Sequence, residues 1–359
     1  MKIYIYNLLE LNEIMNFFNS PPPEMDLYNF FYNKLKTNYT IVDSLDDADI
    51  AFIPVDFTRL IYGRVKDNKW HEIYTLLDEN NESNPTPKSQ PQTYGIGQKE
   101  NFINFFWSKY IKDLINKDSG IPHFMLFSYV LFEISFKPID ESIFILSYED
   151  EVSFFDTLNT FDIGTGNRMI PIPYIQNENL NLSFPKTTSH QKINKEINLS
   201  FIGTIFDENR PSLNKSRGFL NFLNNKISFY GFDNILDGLS KTKYLFVLRG
   251  DTPSRICFCQ CFAYNIVPII FESEVKLYSK ILCHGVSIID SCLVLPDKKE
   301  INDYNYSILV DDILTEELSN EQNYYNRIKN HKSIFHQINY FSEECIPVKN
   351  VLNKLKYMC

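Results

Sequence analysis

The residues best equipped for chemistry lie in one stretch, Lys243 to Phe271, which reads KYLFVLRGDTPSRICFCQCFAYNIVPIIF. Tyr244 to Leu248 is an apolar run of strand length, and Arg249-Gly250-Asp251 is a turn at its carboxyl end. Thr252 is a good helix N-cap and Pro253 suits the first helical position. A helix over Pro253 to Tyr264 and a strand over Val267 to Phe271 complete the unit. Such a unit aims the unpaired N–H groups of a helix at the carboxyl edge of a parallel sheet, where they and the helix dipole favour an anion. Ser254 adds a hydroxyl, and Arg255 adds a permanent cation whose planar fork matches phosphate oxygens. Either Arg249 or Arg255 could reach a diphosphate. In the plainer reading of the same residues, Thr252-Pro253 is a well-made cap and Arg255 pairs with a surface carboxylate.

Other candidates are scattered. His123 opens an apolar run, where a histidine is either a core residue or a functional one. Asp56 follows the strand end Ile53-Pro54-Val55 and is either a general base facing a cleft or a solvated loop carboxylate. Gly203 ends a strand, and Arg210 and Arg217 follow it as further phosphate candidates; for Arg217 the alternative is an exposed helix arginine. Glu272 and Glu274 lie just beyond Phe271 and can meet sugar hydroxyls or simply face solvent. The acidic pairs Asp46-Asp47 and Asp311-Asp312 are adjacent. On a strand they point to opposite faces and make poor metal clamps.

The elements that must position these residues alternate in type. Lys2 to Tyr6, Ala48 to Pro54, His123 to Leu131 and Ser142 to Ser147 read as strands, with helices over Met25 to Lys36 and Asn101 to Asn116. Ile170-Pro171-Ile172-Pro173-Tyr174 is extended, because its prolines exclude a helix interior. A second series runs through strands Leu199 to Gly203, Ile227 to Gly231, Tyr244 to Leu248 and Val267 to Phe271, with helices Ser216 to Asn224 and Ile235 to Ser240 between them. A long helix is expected over Asn320 to Phe341. Alternating strands and helices imply parallel sheets with right-handed crossovers. The division is an N-terminal α/β domain over 1–180, a linker over 181–196 and a C-terminal α/β domain over 197–359, whose tail helix can cross back. Asn80 to Gln98, rich in Pro, Asn, Ser and Gln, is a surface loop.

Composition narrows the function classes. The chain has 359 residues, 44% hydrophobic and 22% charged, as globular chains do. A net charge of −10 without a basic stripe argues against a nucleic-acid backbone as partner. No apolar run reaches the ~18–20 residues of a membrane span and no signal core opens the chain, so a cytoplasmic place is expected. Seven cysteines, with Cys257, Cys259 and Cys261 alternating, lack the spacing of zinc sites and read as buried free thiols. Neither a Ser-His-Asp nucleophile elbow nor a Gly-Lys-Ser/Thr phosphate loop is present.

Gly250-Asp251-Thr252-Pro253-Ser254-Arg255, a helix, and Asn265-Ile266-Val267-Pro268-Ile269 resemble the exostosin family of glycosyltransferases, closest to its plant xyloglucan-galactosyltransferase-like branch. Further similarities occur in family order over roughly residues 1–275: the opening strand Lys2 to Tyr6, Ala48 to Val55, Pro122-His123-Phe124, Ile170 to Tyr174, and Phe201-Ile202-Gly203 followed by Arg210 and Arg217. The resemblance implies a GT-B type fold, two Rossmann-like domains facing across a cleft. It implies an inverting transfer from a nucleotide sugar, UDP-linked, to a glycan or other hydroxyl acceptor. It implies donor contacts from Gly203, Arg210, Arg217, Arg249, Gly250, Asp251, Thr252, Ser254, Arg255 and Gln260, and catalytic roles for His123 or Asp56. A UDP-sugar is then the co-substrate, with no cofactor and no metal. Two departures stand out: Gln260 where the family has an acid, and Asn265-Ile266 where it has Gly-Cys. With the acid lost, the alternative is a non-catalytic nucleotide- or carbohydrate-binding protein of the same fold.

Overall fold

A computed structural model describes residues 1–16, 18, 27–56, 59, 107–115, 119–127, 143–148, 169–173, 195–203, 205, 216–231, 235–248, 256–281, 288–340 and 345–357. These residues form two compact units, Met1–Pro171 with Val348–Cys359, and Ile172–Pro347.

The first unit is built on six strands: β1 (Lys2–Ile5), β2 (Thr40–Val42), β3 (Ile50–Phe52), β4 (His123–Phe127), β5 (Ile143–Ser147) and β6 (Met169–Pro171). They lie in the order β2-β1-β3-β4-β5-β6, every neighbouring pair parallel. β3 and β5 are buried at every position, as a sheet covered on both faces requires, so each reads as an unbroken apolar run. Helix α1 (Leu9–Met15) follows β1, and α2 (Leu27–Asn38) follows it. α2 lies on the face that carries Phe52 and Phe124. Its Phe31 meets Phe124 edge-on at 6.1 Å between ring centroids, and Tyr28 and Tyr32 approach Phe52. Tyr4, Ala51 and His123 share a register row of opposite parity and so occupy the other face.

The second unit repeats the plan. Strands β7 (Ile197–Ile202), β8 (Ser228–Tyr230), β9 (Thr242–Phe246), β10 (Val267–Phe271) and β11 (Leu293–Leu295) lie in the order β11-β10-β9-β7-β8, all parallel. In both sheets the second strand flanks the first and the third returns to its other side. This is a doubly wound order with its switch point between β1 and β3, and between β7 and β9. One face, with Ile202, Leu245, Val247 and Ile270, packs on α3 (Ile235–Lys241), α4 (Ile256–Ala263), α5 (Val275–Ile281) and α8 (His331–Ile338). The other, with Phe201, Tyr244, Phe246 and Ile269, packs on the 3-10 segment Gly218–Leu223, α6 (Asp303–Leu318) and α7 (Glu321–Ile328). The two expected Rossmann-like α/β halves are therefore both present.

Some expectations need correction. Ser216 to Asn224 is mostly 3-10 rather than α-helical. Asn320 to Phe341 is two helices, α7 and α8, not one. The helix that joins the first unit is the last one, α9 (Ile346–Lys356), where Val348, Val351, Leu352 and Leu355 are buried and Lys356 Nζ meets Asp49 Oδ1 at 2.9 Å. Asp311-Asp312 lies within α6, and Asp311 pairs with Lys226. The expected surface loop Asn80 to Gln98 lies outside the described residues, as do most of the expected linker and the start of the helix expected at Asn101. Among the described residues no helix is long and apolar enough to cross a membrane.

Candidate functional site

Ligands of doubly wound sheets bind at the carboxyl edge, in the crevice at the switch point. In the second unit that crevice opens between the ends of β7 and β9. β7 ends at Gly203, whose φ of 140° is a conformation that L side chains rarely adopt. Its N–H donates to Tyr230 O at 3.1 Å, keeping the turn hydrogen-bonded to the neighbouring strand end. A Cβ at Gly203 would stand 3.3 Å from Phe201 Cζ and 4.0 Å from Arg217 Nη1. Arg217 is 3% exposed and lies over the Phe201 ring with its guanidinium carbon 5.3 Å from the centroid. Contact between a guanidinium and an aromatic face is favourable and holds the fork flat. The alternative of an exposed helix arginine is overturned.

The next residue, Gly218, lies so close to the Asp303 carboxylate that a side chain there would displace it. Asp303 opens α6 behind the Asn302 N-cap, whose Oδ1 accepts from Asn305 N at 2.8 Å, and it pairs with Lys298. The strand ends β7, β10 and β11 thereby bring Gly203, Arg217, Glu272, Asp297, Lys298 and Asp303 to the carboxyl side of one sheet. Glu274 is not available to a ligand. It is 6% exposed, and its Oε2 accepts from Phe271 N at 3.0 Å, capping the turn after β10. Asp297 is engaged by Ser273 Oγ at 2.7 Å.

Arg210, and the whole segment Arg249, Gly250, Asp251, Thr252, Ser254 and Arg255 that falls between β9 and α4 in sequence, lie outside the described residues. α4 itself is buried from Cys257 to Ala263. Gln260 is 4% exposed and shares a helical face with Ile256 and Tyr264, both half-buried. The departure at Asn265 has a physical reason. Asn265 has φ 52°, and Ile266 N donates to Cys261 O at 2.8 Å, which is a Schellman ending with Asn in the left-handed position usually held by glycine. Tyr324 OH donates to Asn265 O at 2.8 Å and fixes the turn. The described cysteines are free and buried, and burial pushes the Cys261 and Cys292 thiols up. Neutral thiols of this kind are inert.

The first unit has its own switch point, between β1 and β3. His123 is wholly buried, and its Nε2 lies 2.7 Å from Tyr6 OH. Ala51 occupies the row between Tyr4 and His123, and its small side chain leaves space for the two rings to meet across β3. Asp56 is 4% exposed rather than solvated. Its Oδ1 accepts from Arg59 N at 3.0 Å, and Arg59 Nε and Nη2 donate to Phe18 O. Burial, with the Asp56 charge, pushes the Tyr28 phenol far up; its OH donates to Pro54 O at 3.1 Å. Tyr6 was not among the sequence candidates. The only signal was its place at the end of the first strand.

One acidic spacing escaped the sequence reading, Asp47-Ala48-Asp49. Asp49 precedes β3, at the amino edge, and its oxygens accept from Lys2 N at 2.7 Å and Lys356 Nζ at 2.9 Å. That holds its carboxyl below the usual range. It sits at the wrong edge for a ligand clamp.

The chain matches no protein-family model and no curated protein by sequence. It is similar to several solved structures. Sucrose-phosphate synthase from Thermosynechococcus elongatus has 9% identity and a TM-score of 0.48 over 99% of each chain. A glycosyltransferase from Rickettsia africae ESF-5 has 10% identity and a TM-score of 0.41, covering 99% of this chain and 97% of that one. Anabaena HepE in complex with UDP and glucose has 9% identity and a TM-score of 0.41, over 99% and 98%. At these identities and TM-scores the similarity carries no argument about function.

Proposed function

We propose that the chain is a glycosyltransferase that takes a sugar from a nucleotide sugar, UDP-linked, and moves it with inversion to the hydroxyl of a glycan or other acceptor. One observation carries the reading: a glycine held at φ 140° at the switch point of a parallel sheet, with a buried arginine laid beside it. Arg217 lies over the Phe201 ring beside that turn, and a carboxyl-edge crevice is where a diphosphate binds. In sequence, Arg249, Gly250, Asp251, Thr252, Ser254 and Arg255 lie between β9 and α4.

In the reaction the acceptor oxygen attacks the anomeric carbon as the bond to the diphosphate oxygen breaks. The leaving diphosphate gains charge, and preorganised donors aimed at it contribute on the order of 3–4 kcal/mol each. Arg217, Arg255 and the amino end of α4 take that role, so the reading assigns charge neutralisation to the protein rather than to a metal. Hexosyl or pentosyl transfer in glycan biosynthesis, in the cytoplasm, is the class this implies.

Calorimetry with UDP, GDP and CMP on wild type and on Arg217→Lys, Arg249→Ala and Arg255→Ala tests it. UDP binding that is weakened most by Arg255→Ala and Arg217→Lys is expected. Absence of binding at millimolar ligand would remove the donor assignment. Transfer abolished by EDTA and restored by Mn²⁺ would remove the metal-independent mechanism.

A further inference from the structure

We infer that Lys195 is a positioning residue for the donor site: its ammonium latches α3 to the start of β7, and α3 steadies the strand end on which the Gly203 turn hangs; this rests on the glycosyltransferase reading above. Lys195 stands just before β7, at the amino edge of the second sheet. Its Nζ donates to Leu239 O at 3.0 Å and to Ser240 O at 2.9 Å. Both carbonyls belong to the last turn of α3, where a helix leaves its acceptors without partners, and a cation there also meets the negative end of the helix dipole. One link further on, Gly238 lets the α3 backbone press against Tyr230. A Cβ at Gly238 would stand 2.9 Å from the ring carbons Cγ and Cδ2. Tyr230 O accepts the Gly203 N–H at 3.1 Å, and Arg217 Nη1 lies 4.0 Å from the Cβ position of that glycine. Lysine, helix, ring and turn thus make one continuous set of contacts inside the second unit, from the amino edge of its sheet to the carboxyl edge.

The latch is also sensitive to pH. Burial lowers the Lys195 pKa from the ordinary 10.5 to about 8, with the Cys261 thiol of α4 opposing the shift. That thiol is itself pushed up by burial and stays neutral. On α3, Asp237 is taken by Lys241 at 2.7 Å, and Glu196, beside Lys195 in sequence, is exposed. Above pH 8 the amine is neutral, so its bonds to the two carbonyls lose their charge assistance and their attraction to the dipole. The sign for stability is the opposite one. Between about 8 and 10.5 the unfolded chain holds the proton that the folded chain has released, so this lysine adds stability as pH rises through that window. Donor affinity and fold stability therefore move apart with pH, which a residue that only supports the fold does not produce.

The test compares Lys195→Met and Gly238→Ala with wild type. The first removes the cation and keeps the stem; the second breaks the contact with Tyr230, although alanine favours a helix more than glycine does. Hydrogen exchange of the Gly203 amide reports the turn, and calorimetry reports UDP affinity. At pH 7 both variants should exchange that amide faster and bind UDP more weakly, each by about three- to tenfold. Between pH 7 and pH 9 the wild-type Kd should climb towards that of Lys195→Met, whose own Kd stays level. Over the same range the wild type should gain melting temperature relative to that variant. If Lys195→Met does not fold, Gly238→Ala decides through the same amide. Gly203 exchange and UDP Kd within about twofold of wild type in the folded variants overturn the inference. A wild-type chain that binds no UDP removes the donor reading instead, and the exchange of the Gly203 amide still decides whether Lys195 sets the turn.

Discussion

Replacing Gly203 by alanine tests whether the β7 turn is as constrained as its geometry implies. At φ 140° a non-glycine residue carries strain of about 1–3 kcal/mol. The added Cβ would also meet Phe201 Cζ at 3.3 Å and Cε1 at 3.6 Å, so the ring must give by a few tenths of an ångström. That ring is the floor under the Arg217 guanidinium, and the strain is therefore passed to the candidate phosphate ligand. A combined loss of about 2–3 kcal/mol is expected, which for a unit of this size lowers the melting temperature by roughly 4–12 °C. UDP affinity should fall with it, since Arg217 moves. Gly231→Ala is the control: nothing lies within 4 Å of its Cβ position and its φ is ordinary, so its effect should stay within about 0.5 kcal/mol. Thermal melting and calorimetry on both variants decide the matter. A Gly203→Ala chain that melts within a degree of wild type and binds UDP equally well would show that the turn relaxes freely and that Arg217 does not depend on it.

His331 is wholly buried and burial lowers its pKa to about 4, against about 6.5 in the unfolded chain. Because the unfolded chain takes up the proton first, stability is lost as pH falls from about 6.5 towards 4, and roughly 2 kcal/mol should disappear between pH 7 and pH 5. Urea unfolding of His331→Gln should show a shallower pH dependence than wild type by that amount; parallel curves would refute the burial argument. Gln260→Glu places a carboxylate on a site that is 4% exposed. The free variant should melt lower, and a UDP-sugar should recover more of its melting temperature than of wild type's if the position faces donor hydroxyls. Glu317 accepts from Tyr244 OH at 3.0 Å and pairs with Arg327 through both oxygens, so Glu317→Gln should cost about 1.5–3 kcal/mol in denaturant unfolding. A loss below about 0.5 kcal/mol would make this a surface pair like any other.

What could be read from the sequence depended on how local the cause was. β3, β5 and β10 are short apolar runs bounded by turns, and burial on both faces is the reason they look that way. α6 was missed because its pattern is mixed: Tyr306, Val310 and Leu314 are buried, but Tyr304, Ile308 and Leu309 are apolar and exposed, which blurs the helical period. The break between α7 and α8 has no local signal. Tyr324 of α7 reaches the turn before β10, while His331 of α8 packs edge-on against Phe262 of α4, on the opposite face of the sheet. A straight helix cannot serve both faces, so tertiary packing overrides the periodicity. The same distinction governs the candidate sites. Asn265 looked like a lost glycine, and only its φ of 52° shows that the conformation was kept with a different residue. For Arg217 the sequence left phosphate ligand and exposed helix arginine both open, because the ring it lies over, Phe201, is in another element. Tyr6 could not be singled out at all, since what distinguishes it from Tyr4 is a contact with His123 set by the register Tyr4↔Ala51↔His123 across three strands. Strand register is a property of the assembled sheet. Chemistry that depends on it is visible only once the sheet has been built.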